Sequence, residues 1–517
     1  MAHKWAHNRI KMKSYEIIKY QLYLLQLENY ELGRYFKLLG KKGFLPPKES
    51  LRKSLVWTIK ARALMLMATA LHVLIGVMLF WFVIDSSFYF YIIVGLIWCL
   101  IFTTYYLLLT TVLLFLFPVD WLAKKIIVFR AKLRVKSKML NVKVIGIAGS
   151  YGKTTMKEVL KQVLSMKYKV LSTPESVNTP VGIARWILNN FNTPSSALRA
   201  SSPLKGEGNM EIAIVEMGEH YKGDIKEICN LIQPDIAVVT GINEAHLERM
   251  GTMQKVTETI FEIVQNAKLD AVCLLNGDDK NIVENYQEYF LPTQKSIKYY
   301  VSSIKDKNFD TERLGWNITI AGVGDVFVNL LAEYALGDVD CAIQLARELG
   351  MTNEEIKQGL ETIKPVEHRL SPILRPRNIL VIDDAYNGNS VGVKEAIKTL
   401  GRFTDRRKIY ITPGLVETGR ASKDVHLEIG RQLAKTADVV ILIRNSVTGW
   451  IEEGIRNYEL GKKDNLPASS SSTQLTTYNL PTILWFNTAQ EAHAELKNLL
   501  QPNDVILFQN DWGDQYL

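Results

Sequence analysis

The stretch GIAGSYGKTTMKEVL, residues 146–160, has the glycine spacing of a phosphate-binding loop, with one departure. The common form of that loop, G-x-x-x-x-G-K-[ST], needs glycine at position 147, where this chain has Ile147. Gly149 and Gly152 remain, between a predicted strand and a predicted helix. Glycines let backbone N–H groups converge on phosphate oxygens, and the helix that begins there adds its positive end. We therefore predict nucleotide binding here; the alternative is a tight strand–helix turn with an incidental lysine.

The side chains that follow Gly152 have the types that phosphoryl transfer needs. Lys153 supplies a positive charge to the transferred phosphate, and the Thr154 hydroxyl is placed for Mg²⁺. Ser150 and Thr155 belong to the same loop. The loop therefore predicts a nucleotide and Mg²⁺ as its ligands.

Short apolar runs around the loop must form the sheets that position it. The stretches VKVIGIAG, EIAIVEMG and DIAVVTGI are continuous apolar strands separated by amphipathic segments, and NILVIDDAYN, KIYITPG and DVILFQN repeat the pattern later. Such runs predict buried parallel strands in α/β domains. A break near Arg369 separates two such domains.

The N-terminal part has a different composition. Residues 1–143 contain 22 Lys and Arg against 6 Asp and Glu, whereas the whole chain has a net charge of only +9. Residues 63–84 and 88–117 contain no Asp, Glu, Lys or Arg, and basic residues flank both. This pattern predicts a transmembrane helical hairpin with both ends in the cytoplasm, and it argues against nucleic acid as the partner of the basic residues.

An apolar stripe at helical spacing in residues 15–39, with Leu22 and Leu25, either packs on the protein itself or lies on a membrane surface. The four cysteines are scattered without a C-x-x-C pair, which is typical of a reducing cytoplasm and predicts neither a zinc site nor disulfides.

The motifs together resemble the Mur ligases, which join an amino acid or peptide to a carboxylate using ATP. The resemblance covers roughly residues 143–508, in the family's order, through GSYGKTTMKEVL, PESVNTPVGIA, VEMG, NEAHLERMGT, LNGDD, PVEHRL and VIDDAYNGNSVGVKEAI. It is most similar to the type that adds D-alanyl-D-alanine to a muramoyl tripeptide. The resemblance implies an α/β fold with a P-loop central domain and a Rossmann-like C-terminal domain, preceded here by the transmembrane α-helical hairpin.

The predicted segments are a basic cytoplasmic helical segment (1–62), the hairpin (63–118), a basic linker (119–142), the ATP-binding central domain (143–369) and the C-terminal domain (370–517). The predicted location is the inner membrane, with membrane lipid as a partner and the ligase domains in the cytoplasm.

The family's functional positions can be carried onto this chain residue by residue. The resemblance implies catalytic roles for Lys153, His246 and Arg369, and magnesium ligands at Thr154, Glu216 and His246. It implies nucleotide contacts from Gly149, Ser150, Gly152, Lys153, Thr154, Thr155, Asn243, Arg369 and Asp384. It implies substrate contacts from Asn178, Tyr386, Asn387 and Asn389.

The chain departs from the family's pattern at three places. Ile260 stands where the family has a carbamylated lysine, and Glu258 or Glu262 are the carboxylates that could compensate. Tyr334, Ala335 and Asp338 replace the block that contacts adenine, and residues 1–142 do not resemble the family's uridine-nucleotide-binding domain.

The predicted reaction is ATP-dependent amide ligation through an acyl phosphate. The expected substrates are a muramoyl-peptide or lipid-linked acceptor and D-alanyl-D-alanine, in peptidoglycan synthesis. Two alternatives stay open: a membrane-bound ligase of the polyglutamate-synthase kind, and a catalytically weakened scaffold for other cell-wall enzymes.

Overall fold

The computed structural model describes residues 14–28, 30–43, 55–83, 112, 116–139, 141–191, 211–244, 247–290, 295–300, 303–386, 388–415, 421–463 and 480–509. The chain forms two compact units, residues 1–126 and residues 127–517. The five-segment division predicted from the sequence stays a prediction.

The first unit is helical where it is described. Its helices are α1 (Ser14–Leu27), α2 (Leu32–Lys42) and α3 (Ile59–Val83). Leu22 and Leu25 of α1 are fully buried in one apolar cluster with Tyr35 of α2. The Tyr35 hydroxyl donates a 2.7 Å hydrogen bond to Gln21 Oε1, which satisfies its polar end inside the cluster. The apolar stripe of α1 thus packs on the protein itself.

The predicted transmembrane hairpin of residues 63–118 is contradicted. Within the described part of the chain, no helix combines the length and the apolar character needed to cross a membrane. Helix α3 carries Lys60 and Arg62 in its first turn, and its Leu64 and Ala68 pack into the cluster that holds α1 and α2. Part of its apolar sequence is therefore accounted for by packing within the protein. Most of the second predicted span, residues 88–111 and 113–115, lies outside the described residues.

The predicted location is corrected for the same reason. A two-span anchor in the inner membrane, with both termini in the cytoplasm, depended on the hairpin and is wrong with it. The lipid partner was predicted from the same segments and has no support in the described helices.

The second unit begins with helical residues 127–138 and then a six-stranded parallel sheet. Its strands are β1 (Lys143–Ala148), β2 (Val170–Ser172), β3 (Ile212–Glu216), β4 (Ile236–Val239), β5 (Val272–Asn276) and β6 (Ser296–Tyr300), in the order β2-β3-β1-β4-β5-β6. Its helices are α4 (Lys153–Leu164), α5 (Pro180–Asn190), α6 (Asp224–Ile232), α7 (Leu247–Met250), α8 (Met253–Asn266) and α9 (Lys280–Phe290). The strand order reverses at β1, which lies between β3 and β4. In open α/β sheets the crevice at the carboxyl end of such a strand is where ligands bind.

Apolar residues one helical turn apart hold α4 on this sheet. Met156, Val159, Leu160 and Val163 are fully buried and belong to the same core as Ile145 of β1. The spacing leaves the first turn of α4 at the carboxyl end of β1, where the loop residues meet the helix.

A small antiparallel sheet follows the first sheet. It consists of β7 (Ile304–Asp310), β8 (Gly315–Ile320) and β9 (Gly324–Val328), followed by α10 (Ala335–Glu348) and α11 (Asn353–Glu361). Thr352 caps α11 in a capping box with Glu355, which fixes the start of that helix.

The C-terminal part contains a second six-stranded sheet. Its strands are β10 (Ser371–Arg375), β11 (Ile379–Asp384), β12 (Lys408–Thr412), β13 (Val439–Ile443), β14 (Thr482–Phe486) and β15 (Val505–Gln509), in the order β10-β11-β15-β12-β13-β14, with a 3-10 turn at Pro376–Asn378. Its helices are α12 (Ser390–Gly401), α13 (Ser422–Thr436), α14 (Thr448–Lys463) and α15 (Ala489–Leu499). Only β10 is antiparallel to its neighbour. The two sheets agree with the predicted α/β class, whereas the transmembrane part of that prediction is wrong.

Helices α13 and α14 approach so closely that each contributes a glycine to the contact. A Cβ added at Gly454 would lie 2.2 Å from the carbonyl oxygen of Leu427, whereas one added at Gly449, on the same helix, meets nothing within 4 Å. We expect Gly454→Ala to lower the free energy of unfolding by about 1–3 kcal/mol, since backbone atoms cannot move aside without repacking. Gly449→Ala, the matched control, should leave stability unchanged or raise it slightly. Equal thermal unfolding temperatures for the two variants would contradict this packing.

Candidate active site

The loop between β1 and α4 has the backbone that its glycines permit. Gly149 has φ +150°, and a Cβ there would lie 2.2 Å from Thr240 Oγ1 and 3.0 Å from the backbone nitrogen of Gly241. Gly152 has φ +78° and lies at the N-cap of α4. The N–H of Ser150 donates a 2.7 Å hydrogen bond to the Gly241 carbonyl, which ties the loop to the end of β4. The loop is thus shaped by close contact with β4, and only glycine fits at its first position.

A carboxylate braces the loop from the next strand. Asp279 Oδ2 accepts hydrogen bonds from the Tyr151 hydroxyl at 2.7 Å and from the Ile242 N–H at 3.0 Å. Burial, with the nearby Asp279 charge, raises the pKa of Tyr151 well above its usual range. Tyr151 therefore stays a neutral donor and links the loop to β5.

Lys153 is held across the mouth of the loop. Its ammonium donates to the Gly149 carbonyl and, at 2.9 Å, to Glu219 Oε1. Its side chain is 12% exposed, and that of Glu219 is 1% exposed. These two contacts hold the lysine charge over the loop.

Thr154 and Glu216 form a pair of oxygen donors beside Lys153. Thr154 Oγ1 donates to Glu216 Oε2 at 3.2 Å, and Lys157 Nζ lies 3.1 Å from the same carboxylate oxygen. Glu216 lies at the end of β3, and its N–H donates to Thr173 Oγ1 at 3.1 Å, which fixes its backbone. Hydroxyl and carboxylate oxygens are what Mg²⁺ prefers, and these two are close enough to bind the same ion. The donor set therefore fits magnesium.

One pocket collects most of the predicted residues. It is lined by Ser150, Tyr151, Gly152, Lys153, Thr154, Thr155, Ser176, Asn178, Glu216, His220, Tyr334, Arg369, Asp384, Tyr386, Gly388, Asn389, Val391 and Gly392. Residues 150–220 come from the first sheet and its helices, and residues 384–392 come from the end of β11 and the start of α12. The pocket is therefore shared by the central and C-terminal parts of the second unit.

Arg369 and Tyr386 close the pocket on the C-terminal side. The Arg369 guanidinium lies 4.5 Å from the centre of the Tyr386 ring, and its Nη1 donates to the Tyr386 carbonyl at 3.3 Å. The Tyr386 hydroxyl lies 3.1 Å from Ser176 Oγ, on the segment before α5. This chain of contacts orients a positive charge toward the cavity.

Two predicted asparagines also contribute to structure around the pocket. Asn389 Oδ1 caps α12 by accepting from the N–H groups of Val391 at 3.1 Å and Gly392 at 3.0 Å, and it accepts from Asn243 Nδ2 at 3.3 Å. The Asn178 carbonyl accepts from the Gly218 N–H at 2.8 Å. The side chain of Asn389 is thus engaged as a helix cap.

His246 and Asn387 lie outside the described residues. Gly149 and Asn243 adjoin the pocket wall through the contacts given above. The roles implied by the resemblance remain predictions for all of these residues.

Two side chains that contact the predicted ones, Lys157 and Glu219, were not predicted from the sequence. Lys157 is 1% exposed and is paired with Glu216. From sequence alone, a lysine in a helix is expected to lie on the surface. A signal was present in both cases. Glu219 follows the VEMG stretch by one residue, and Lys157 lies one helical turn after Lys153 and Thr154.

The position at which the family has a carbamylated lysine lies in the apolar core of this protein. Ile260 is fully buried in the apolar cluster around α8. Glu258 is paired with Lys222 at 2.6 Å, and Glu262 accepts from the N–H groups of Gly223 at 2.8 Å and Lys226 at 2.9 Å, at the start of α6. Both carboxylates therefore have other partners. No cluster of three or more His, Cys, Asp or Glu side chains suited to a metal ion occurs within the described residues, which leave out His246.

The three residues that replace the family's adenine-contacting block are divided between the pocket and the core. Tyr334 lines the pocket, whereas Ala335 and Asp338 are buried at the start of α10. Burial raises the pKa of Asp338 well above its usual range.

Asp384 gives the site a pH dependence that can be measured. Burial raises the pKa of its carboxyl to about 7, although the charge of Arg369 opposes the shift. A carboxyl whose pKa is higher in the folded state than in the unfolded state destabilises the fold when it ionises. The free energy of unfolding therefore decreases as the pH rises from about 4 to about 7. We expect Asp384→Asn to gain thermal stability relative to the wild type as the pH increases from 5 to 8. The same difference in unfolding temperature at both pH values would overturn this assignment.

Two parts of the chain match known protein domains. Residues 147–342 match the Mur ligase middle domain, and residues 368–509 match the Mur ligase glutamate ligase domain. The UDP-N-acetylmuramoyl-tripeptide–D-alanyl-D-alanine ligase of Bacillus subtilis (strain 168) is 27% identical over 323 residues, 62% of this chain and 66% of the relative. The match thus spans slightly less than two thirds of the relative's length.

Solved structures share the fold. MurF from Acinetobacter baumannii has a TM-score of 0.60 at 22% identity, over 75% of this chain and 77% of that one. MurF ligase from Thermotoga maritima in complex with ADP has a TM-score of 0.59 at 23% identity, over 76% and 81%. At these identities the likeness is one of fold.

The loop between β1 and α4, its oxygen donors and the two six-stranded sheets define a two-domain α/β protein whose pocket is lined by residues of both domains. The chain belongs to the Mur ligase family through both matched domains, which together make up well over half of it.

Proposed function

We propose that this protein joins D-alanyl-D-alanine to the carboxylate of a muramoyl-peptide precursor in peptidoglycan synthesis, with ATP as the energy source. The observation that carries the proposal is the single pocket that brings Lys153, the Thr154–Glu216 pair and Arg369 together. The match to a ligase named for these substrates supports the choice of acceptor and amine.

The proposed reaction has two steps. An acceptor carboxylate oxygen attacks the γ-phosphorus of ATP, the bond from that phosphorus to the bridging oxygen of ADP breaks, and an acyl phosphate forms. The amine nitrogen of D-alanyl-D-alanine then attacks the acyl carbon, the carbon–oxygen bond to phosphate breaks, and the nitrogen loses a proton as phosphate leaves.

The chain's own residues mainly provide charge and position. Lys153 and Arg369 balance the negative charge of the phosphoryl group from two sides of the pocket. Thr154 and Glu216 are the residues that would hold Mg²⁺, which supplies further charge neutralisation at the phosphates when bound. Asn178 and Tyr386 line the same pocket and are proposed to orient the substrates, while Asp384 is proposed to contact the nucleotide.

The experiment is ligation by the purified full chain with ATP, Mg²⁺ and D-alanyl-D-alanine. A uridine-linked muramoyl tripeptide and a lipid-linked muramoyl peptide are offered in separate reactions, and phosphate release is followed together with the mass of the product. A product whose mass exceeds that of the acceptor by one added D-alanyl-D-alanine unit supports the proposal and identifies the acceptor. This product should be absent with Lys153→Ala.

Other outcomes count against it. Extension of an acceptor by glutamate units would select a polyglutamate-synthase-like ligase. Absence of both nucleotide binding and turnover with every acceptor would select the scaffold. Ligation unaffected by Lys153→Ala would sink the mechanism.

A further inference from the structure

Lys157 is a buried cation that the mechanism above does not use. Its side chain is 1% exposed, and its ammonium lies 3.1 Å from Glu216 Oε2 and 3.8 Å from Glu158 Oε1. A lysine is almost never buried to this degree unless it is paired. Its principal partner is the carboxylate that we propose as a magnesium ligand, so the pairing concerns the metal position directly.

Among the described residues, Glu216 is contacted at one of its two carboxylate oxygens. Thr154 Oγ1, at 3.2 Å, and Lys157 Nζ both contact Oε2, and both come from the first two turns of α4. Within the described part of the chain, Oε1 of Glu216 forms no hydrogen bond or ion pair. Glu216 also lines the pocket, whereas Lys157 does not. A carboxylate that lines the pocket is therefore paired with a lysine that does not line it.

A second ion pair lies next to the first. Lys153 is 2.9 Å from Glu219 Oε1, so the two carboxylates at the end of β3 each have a lysine of α4 as partner. Each of these two carboxylates therefore has a counter-charge before any metal or nucleotide binds. A dication that arrived alone would meet a carboxylate whose charge Lys157 already compensates.

We propose that Lys157 is an internal counter-cation that keeps the Glu216 position weak for free metal, so that magnesium enters with the nucleotide. The phosphates of ATP or ADP bring the additional negative charge that the pair lacks. In this role Lys157 is a positioning residue: it acts through Glu216 and touches no substrate. The inference rests on the proposed function only in assigning Glu216 to magnesium.

The test measures Mn²⁺ binding by the full chain, by electron paramagnetic resonance, without acceptor or amine. In the absence of nucleotide we expect Lys157→Met to bind Mn²⁺ about tenfold or more tightly than the wild type, because a nearby positive charge is removed. Lys157→Arg keeps the charge and should retain the wild-type affinity. Lys161→Met is the matched control, since Lys161 is on the same helix and 46% exposed, and it should change nothing.

The sign of the effect separates this role from a structural one. A variant that merely damages the site binds Mn²⁺ more weakly, whereas removal of a counter-cation strengthens binding. Unchanged or weaker nucleotide-free binding by Lys157→Met would overturn the proposal. If that variant does not fold, Lys157→Gln, which can still hydrogen-bond to Glu216, takes its place with the same expectation. A wild type that binds Mn²⁺ equally well with and without ADP would overturn the proposal without any variant.

The readout is independent of ligation. If the wild type ligates D-alanyl-D-alanine and Lys157→Met shows no gain in Mn²⁺ affinity, only this inference fails. If no ligation occurs with any acceptor and the Mn²⁺ shift is observed, only the proposed substrates fail.

Discussion

Lys153→Met is expected to reduce kcat/KM for ligation by about a thousandfold or more. The side chain keeps its length and loses the charge that faces the phosphate loop, and charge stabilisation is the main contribution of a protein to phosphoryl transfer. The measurement is phosphate release at saturating acceptor and amine, over a range of ATP concentrations. We expect the loss mainly in kcat, since the backbone N–H groups of the loop still bind the nucleotide.

Lys161→Met is the matched control for that variant. Lys161 lies on the same helix, is 46% exposed and pairs with Glu158 at 3.6 Å. An exposed pair of this kind contributes little, so the rate should stay near that of the wild type. Retention of more than a tenth of the activity by Lys153→Met, with a folded control, would show that the lysine does not serve the transferred phosphate.

Glu216→Gln is expected to lower ligation by about a hundredfold at limiting Mg²⁺, with partial recovery at high Mg²⁺. The amide preserves the size of the side chain but is a weaker ligand for a hard dication than a carboxylate. The variant also leaves Lys157 buried without its carboxylate, and breaking a buried pair from one side costs about 3–5 kcal/mol. The thermal unfolding temperature should therefore fall together with the ligation activity.

Glu158→Gln separates the two effects of the Glu216 variant. Glu158 is also near Lys157, at 3.8 Å, but its side chain is 29% exposed and it does not line the pocket. We expect a small change in stability and an unchanged Mg²⁺ dependence. If Glu216→Gln alters stability alone and leaves the Mg²⁺ dependence as in the wild type, Glu216 is a structural residue and not a metal ligand.

Local sequence was informative wherever a short stretch performs the chemistry by itself. The glycines at 149 and 152 shape the loop, and the residues that follow them lie in the pocket in the order that the motif predicts. The continuous apolar strands were predictable for the same reason, because burial on both faces of a parallel sheet leaves a continuous apolar run. The identity of the pocket's far wall, Arg369 and Tyr386, followed from the resemblance rather than from any local pattern.

The N-terminal segment shows where composition is insufficient. An uncharged run of residues 63–84 satisfies the length of a membrane span, yet Leu64 and Ala68 pack with Leu22, Leu25 and Tyr35 from helices earlier in the chain. Apolar composition alone therefore does not show what a segment packs against.

The local sequence predicts a phosphate loop, a hydroxyl at the start of the helix that follows it, a carboxylate at the end of β3, and the α/β pattern that carries them. The three-dimensional fold was needed to show how charges far apart in the chain pair with one another. Lys153 meets Glu219 across 66 positions, Lys157 meets Glu216, and Asn389 serves as a helix cap that also contacts Asn243. A motif specifies backbone shape over a few residues, whereas the partner of a buried charge depends on which strand end and which helix face the fold brings together.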